Sequence, residues 1–193
     1  MKPAAIEYSC LMVSDPGTPL VAGRTCGACN ACCHFLKIDE PQFRKPPAQL
    51  CNHWHSEKAC TIYDRRPPSC RDFYCGWLQF DWLDETWRPD RCGILVRPVT
   101  QNGGVAVIFL LIASNDALDT DQAAIVIGNV VASDILAFLE VPGPPGYMGA
   151  RMELNAMLRA PVDRGDLAEI RRLLVLGAEQ ARHHDMKPAR YDH

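Results

Sequence analysis

Apolar positions divide the chain into regions of different character. Between residues 26 and 92 the apolar stretches are short and are interrupted by prolines, arginines and cysteines. From residue 93 onwards they are longer, and their spacing predicts strands and helices. The first 25 residues hold several prolines and glycines and show little periodicity. We therefore divide the chain into an N-terminal arm (1–25), which could include one short strand, a middle module (26–92), and a C-terminal part (93–193) of the same compact unit.

The C-terminal part predicts a mixture of strands and helices. In order, its pattern indicates a short strand over 93–98, a turn at 102–104, a buried strand over 105–113, a largely buried helix over 122–139, a possible strand over 147–154 and a helix over 166–183. The last helix has the clearest amphipathic spacing, and Asp166 with Glu169 resembles a capping box. The polar tail after residue 183 is expected to fray. This order of elements predicts an α+β fold, with the cysteine-rich module packed on a small sheet with C-terminal helices.

Composition narrows the functional classes. The chain has 193 residues, of which 48% are hydrophobic and 22% charged, with a formal net charge of −3. This balance gives no reason to expect a nucleic-acid partner, and no basic block suggests a membrane surface. The start lacks the pattern of a signal peptide, and the apolar run 105–113 is far shorter than the ~20 residues of a membrane span. We expect a cytoplasmic protein.

Cysteine is the residue type that carries candidate chemistry. Ten are present, and eight of them lie in the middle module, at Cys26, Cys29, Cys32, Cys33, Cys51, Cys60, Cys70 and Cys75. In a reducing compartment this concentration favours metal or redox chemistry over disulfides. The first four form CGACNACC, in which two CxxC steps bring thiols close enough for a shared metal ion. Cys32 and Cys33 are adjacent and point in different directions, which indicates two sites, or one ligand and one reactive thiol.

Eight thiols divide into two four-sulfur sites, but the sequence does not pair them. Our preferred division places Cys26, Cys29 and either Cys32 or Cys33 with one late cysteine. Two zinc ions held by four thiolates each would leave negative charge, which four basic residues of the module could offset: Lys58, Arg65, Arg66 and Arg71. The spacings do not match haem attachment, the bacterial ferredoxin run, the radical-SAM loop or a C2H2 zinc finger.

These motifs resemble a known family. CGACNACC, a cysteine at 51 and the segment CTIYDRRPPSCRDFYC are similar to the CxxCxxCC cysteine-cluster family (YkgJ-like), described as a zinc- or iron-chelating domain. The likeness covers roughly residues 26–77, and RPDRCGILV at 88–96 is similar to extended members. It implies that all eight cysteines are metal ligands, and it implies little about what the metal is for.

The identity of the metal and its role stay open at this point. Thiolate ligands suit zinc and iron–sulfur clusters alike, and we favour zinc. The preferred function is a structural metal centre, with the C-terminal half binding a protein partner or small ligand. The alternatives are an iron–sulfur protein with a redox or enzymatic role, and metal storage or delivery. No catalytic constellation is recognisable. His34, His53 and His55 are expected to lie beside the cluster without ligating, and Cys10 and Cys92 to be free thiols.

Overall fold

The cysteine-rich half consists of short elements, in a computed structural model that describes residues 20–101 and 103–191. Its helices α1 to α4 are Ala31–Phe35, Pro68–Arg71, Gly76–Gln79 and Pro89–Cys92. Its strands form two ribbons, β1 Ile38–Glu40 with β2 Phe43–Lys45, and β3 Trp54–His55 with β4 Ala59–Cys60. Tyr63–Arg65 and Glu85–Trp87 are 3-10 turns. The longest of these helices has five residues, too few to be stable without contacts to the rest of the fold.

The second half contains a four-stranded sheet. Its strands, in spatial order, are β5 Ile94–Gln101, β6 Gly104–Leu111, β7 Leu136–Val141 and β8 Ala150–Glu153. The β5–β6 and β7–β8 pairs are antiparallel, and β6–β7 is parallel. The predicted strands are therefore confirmed with shifted ends. The predicted turn at 102–104 joins β5 to β6, although Asn102 lies outside the described residues.

Helices α5 Asp121–Ala132, α6 Asn155–Arg164 and α7 Leu167–Arg182 complete the second half, with a 3-10 turn at Asn115–Ala117. The prediction for α7 is confirmed, and its capping residue acts as expected, because the Asp166 carboxylate accepts a hydrogen bond from the Glu169 N–H at 3.0 Å. Helix α6 was not predicted. It carries Pro161 in its interior, a residue that ordinarily argues against a helix.

The predicted helix over 122–139 is wrong in its second part. The helix ends at Ala132, and Asp134 adopts a left-handed conformation with φ +57°. The chain then turns into β7, which lies parallel to β6. The run of apolar residues continues through both elements because α5 and β7 are both buried, so periodicity alone could not separate them.

One hydrophobic core joins the two halves. Phe109 and Leu139 from the sheet are fully buried in it. Helix α7 approaches the sheet closely at Gly177, where an added Cβ would lie 3.2 Å from the Met152 sulfur and 3.8 Å from Leu139 Cδ2. Trp77 and Trp87 of the cysteine-rich half are buried in the same core. The α+β fold is thus confirmed, with the cysteine-rich module packed on the sheet.

Both ends of the described chain make contacts with the fold. At the start, Val21 N–H donates to the Leu78 carbonyl at 2.9 Å. Residues 1–19 lie outside the described residues, as do 192 and 193, so most of the predicted arm cannot be compared. The expected fraying of the tail is wrong for its described end, because Ala189 N–H donates to Gly146 O at 2.8 Å and Met148 N–H to Lys187 O at 2.9 Å.

Within the described part of the chain, no helix combines the length and apolar character that crossing a membrane requires.

Candidate metal centre

All eight predicted ligands line two adjoining cavities. The larger, of about 540 Å³, is called the thiol cavity here, and its wall contains Cys26, Cys29, Cys32, Cys33, Cys51, Cys60 and Cys70. The smaller, of about 40 Å³, is lined by Cys75 together with Cys26, Cys29, Cys32 and Cys70. Cys92 lines neither of them, and Cys10 is outside the described residues. The fold therefore gathers thiols that are separated by up to 49 positions in the chain.

The first four cysteines are brought together by a turn and a single helical turn. Gly27 has φ +52°, a conformation that a side chain would disfavour, and the Cys29 N–H donates to the Cys26 carbonyl at 3.0 Å. Helix α1 follows directly and carries Cys32 and Cys33. The CxxCxxCC spacing thus places these thiols beside each other through local hydrogen bonds.

The later cysteines reach the cluster through tertiary contacts. The Cys51 N–H donates to the Cys33 carbonyl at 3.0 Å, which fixes that loop against α1. Cys60 lies on β4 opposite Trp54. Cys70 lies in α2, which begins at Pro68, and Cys75 immediately precedes α3. No spacing rule in the sequence predicts these distances.

Mutual electrostatic effects act mainly within two sets of four thiols, although Cys33 of the second set also raises the pKa of Cys26 in the first. The first thiol group is Cys26, Cys29, Cys32 and Cys75. The pKa of Cys75 is raised to about 12, chiefly by burial and in part by the Cys26 and Cys29 thiolates. Burial also raises the pKa of Cys26 and of Cys29, and the Cys26 thiolate contributes to the rise at Cys29.

The second thiol group is Cys33, Cys51, Cys60 and Cys70. Burial raises the pKa of Cys70 to about 11, with contributions from the thiolates of the other three members. Burial likewise raises the pKa of Cys51, and Cys33 and Cys60 add to that rise. The preferred pairing stays a prediction, and in this division Cys75 is the late cysteine that accompanies Cys26, Cys29 and Cys32.

Cys32 and Cys33 join the two groups and differ from each other. A hydrogen bond between the two sulfurs raises the pKa of Cys32, together with burial, and lowers the pKa of Cys33. Positive charge on Lys45 and Arg66 also lowers the pKa of Cys33. Cys32 is therefore the thiol donor of this pair, and Cys33 the sulfur that ionises first. The expectation that the two adjacent cysteines differ in role is consistent with this asymmetry.

A buried lysine, which the sequence analysis did not single out, lies beside the second thiol group. Lys45 is only 3% exposed, and its ammonium donates to the carbonyls of His34, Pro46 and Gln49 at 3.0, 2.8 and 2.8 Å. Burial lowers the pKa of Lys45, and nearby thiolates, Cys51 first among them, oppose that change. This lysine is the last residue of β2 in an unremarkable FRKPP segment, so only the folded chain reveals it.

Of the four basic residues proposed to offset thiolate charge, Arg66 is the one that lines the thiol cavity. Its Nε donates to the Tyr63 carbonyl at 2.9 Å, and its guanidinium lies 3.8 Å from the centre of the Tyr63 ring. Lys58, Arg65 and Arg71 are exposed, and Arg71 lies 3.5 Å from Asp72. Lys45 and Arg66 are thus the cations placed to compensate negative sulfur.

The three histidines near the cluster line neither cavity. His34 stacks on Phe35, with 4.4 Å between ring centres, and burial lowers its pKa. His53 packs against Phe43, and His55 accepts a hydrogen bond from the Glu57 N–H at 3.3 Å. Cys92 is half-buried, and its sulfur lies 3.2 Å from the Ile94 carbonyl. All nine described cysteines are free thiols.

The donor set fits a soft metal by its chemistry. Two groups of four thiols, beside two cations, match the ligand type of structural zinc and of iron–sulfur clusters. Among the described residues, however, no group of three or more His, Cys, Asp or Glu side chains is already arranged to hold a metal ion. Ligation would require these side chains to move together.

The chain was compared with family models, with curated proteins and with solved structures, and none of the three comparisons gives a match. Membership of the CxxCxxCC family therefore stays a prediction from the residues alone.

Proposed function

We propose that the protein binds zinc through its clustered cysteine thiolates, that the metal mainly stabilises the cysteine-rich half, and that the C-terminal half contributes a binding site for a partner or small ligand. One observation carries the proposal. The eight cysteines predicted as ligands line two adjoining cavities, and Cys92, which was predicted to be free, lines neither. Four thiolates would complete the tetrahedral shell of each zinc ion and leave no open coordination position.

An iron–sulfur protein with a redox or enzymatic role is the second candidate. The compact CGACNACC turn, beside the buried cation of Lys45, favours it, because a positive charge near a cluster influences its reduction potential. Metal storage or delivery is the third candidate, and it requires that the metal exchange readily.

Metal analysis of protein purified under anaerobic conditions tests the proposal. We expect two zinc ions per chain, because each of the two thiol groups offers four ligands, and we expect no visible absorption. Iron with a matching amount of acid-labile sulfide, together with visible absorption, would refute the zinc proposal and support the iron–sulfur candidate. Protein that contains no tightly bound metal, and takes up neither zinc nor iron, would refute all three candidates.

Single substitutions test the two groups separately. Cys29→Ser and Cys70→Ser should each lower the zinc content, and each should destabilise the cysteine-rich half, since metal-binding free energy there is folding free energy. Cys92→Ser is the matched control and should keep the full zinc content. Unchanged zinc in both cluster variants would contradict the assignment of these ligands.

A further inference from the structure

A charged cluster on the sheet lies at the wall of the thiol cavity. Arg97 on β5, Glu140 on β7 and Arg151 on β8 all line it. Glu140 pairs with Arg151 across the two strands, so these side chains point to the same face of the sheet. The Glu140 carboxylate accepts hydrogen bonds from Arg151 Nη2 at 2.9 Å and from Nε at 3.2 Å. This pair is neutral by itself.

Arg97 adds a positive charge that the neutral Glu140–Arg151 pair does not compensate. Its Nη1 lies 3.5 Å from both Glu140 oxygens, at the limit of a hydrogen bond, and its Nε is buried with no hydrogen-bond partner among the described residues. Burial lowers the pKa of Arg97, yet the group stays charged because a guanidinium titrates far above neutral pH. Two arginines against one carboxylate give the cluster a net charge of +1.

The backbone is shaped to allow this cluster. Gly149 lies so close to the neighbouring strand that an added Cβ would be 2.7 Å from the Val141 carbonyl and 3.3 Å from a Glu140 oxygen. A larger residue would push Glu140 out of place. Glu140 is only 8% exposed, so its position between the two arginines is fixed by packing as well as by charge.

Much of the remaining cavity wall is apolar or aromatic, and the polar residues Thr25, Lys37, Tyr63, Arg66 and Ser69 also line it. Besides the thiols it includes the side chains of Phe35, Ile38, Phe43, Trp54, Ile62, Phe73 and Met148. A volume of about 540 Å³ falls within the range of small-molecule sites, which commonly combine apolar walls with a few orienting charges. A guanidinium with one buried, unpartnered N–H beside an apolar chamber favours a ligand with a charged head and an apolar body.

We propose that the thiol cavity binds a small organic carboxylate, with the carboxylate head at Arg97 and Arg151 and an apolar body against the aromatic wall. The uncompensated positive charge of the Arg97–Glu140–Arg151 cluster suits an anionic head at this part of the wall, and the arginine fork is complementary to a carboxylate. This inference builds on the proposed function, in which metal-bound thiolates form another part of the wall of the same cavity.

Calorimetric titration of the metal-loaded protein with decanoate and with 4-phenylbutanoate tests the proposal. We expect at least one acid to bind, and the uncharged analogues, decanol and 4-phenylbutanol, to bind at least about tenfold more weakly, because they lose a charge-assisted hydrogen bond. Equal binding of acid and alcohol, or no binding of either acid, would overturn the proposal. Tighter binding of 4-phenylbutyl phosphate than of either acid would overturn the choice of a monoanionic carboxylate.

Variants of the charged cluster should change affinity in opposite directions. Arg97→Gln and Arg151→Gln should each weaken binding of the acid about tenfold or more. Glu140→Gln should strengthen it, because the competing internal carboxylate is removed. Arg159→Gln is the matched control, since Arg159 pairs with Asp134 and lines neither cavity. A loss of affinity in Glu140→Gln equal to that in Arg97→Gln would indicate a structural role and contradict the proposal.

Zinc content, measured on every variant, separates this inference from the proposed function. Full zinc with no acid binding would refute the carboxylate site alone. Absence of zinc from the wild-type protein would refute the proposed zinc centre, whatever the binding result.

Discussion

The two halves of the molecule are stabilised by different means. In the half that contains the sheet, strands of four to eight residues and helices of ten to sixteen surround side chains such as Leu139 that are fully buried. In the cysteine-rich half no helix exceeds five residues, and most of the eight cysteines are only partly buried. Hydrophobic burial is sufficient for the first half. The proposed metal ligation would add cross-links to the cysteine-rich half, whose elements are too short to be stable on their own.

Removal of metal should have the largest effect on stability, and this effect should differ between the two halves. Treatment with a strong chelator is expected to abolish hydrogen-exchange protection over residues 26–75, because binding free energy there is folding free energy. Protection in β6 and α5 should persist, since these elements are stabilised by the buried core. Hydrogen exchange followed by mass spectrometry measures both regions in one sample. Equal loss of protection in the two halves would contradict the view that they are stabilised by different means.

Leu139→Ala should have the next largest effect, on the other half. This side chain is fully buried between the sheet and α7, so its truncation should cost about 2–5 kcal/mol of unfolding free energy. Zinc content should be unchanged, because Leu139 lines neither cavity. Ile125→Ala, at a side chain that is 45% exposed on α5, is the control and should cost far less. Urea denaturation measures both.

Lys45→Met tests whether a single polar group organises the cysteine-rich half. The variant leaves three carbonyls without their donor, and we expect a loss of about 1–3 kcal/mol. The exposed Lys58→Met should be nearly neutral in the same denaturation experiment. A neutral Lys45→Met would show that water replaces the ammonium and that this lysine has no structural role.

Thiol reactivity gives the smallest and most local test. In metal-free protein at neutral pH, Cys33 should be alkylated by iodoacetamide at least about tenfold faster than Cys75, because the thiolate is the nucleophile. The pKa of Cys33 is lowered by its hydrogen bond from Cys32 and by Lys45, whereas burial raises that of Cys75 to about 12. Mass spectrometry of short reactions measures the ratio, which should approach one in denaturant. If the ratio of the two alkylation rates is unchanged in denaturant, the local sequence around each cysteine, and not the fold, causes the difference in reactivity.

Local sequence patterns were sufficient to predict several helices and strands. The amphipathic spacing of α7 and its Asp166 cap are visible in the sequence because both depend on residues within one or two helical turns. The β5–β6 pair followed from an apolar run beside a glycine turn. The division between α5 and β7 was missed, since apolar residues continue through both elements, even at the exposed Ile125, and too few polar positions mark the period of either.

The sequence by itself determined that eight cysteines form a candidate metal centre within an α+β protein. The CxxC steps carry that information because their geometry is local. Only the tertiary structure decided which thiols are neighbours, with Cys75 joining the first thiol group and Cys60 and Cys70 the second. It also decided that Lys45, Arg97 and Arg151 share this region, because contacts between residues so far apart in the chain depend on how the two halves pack and not on spacing.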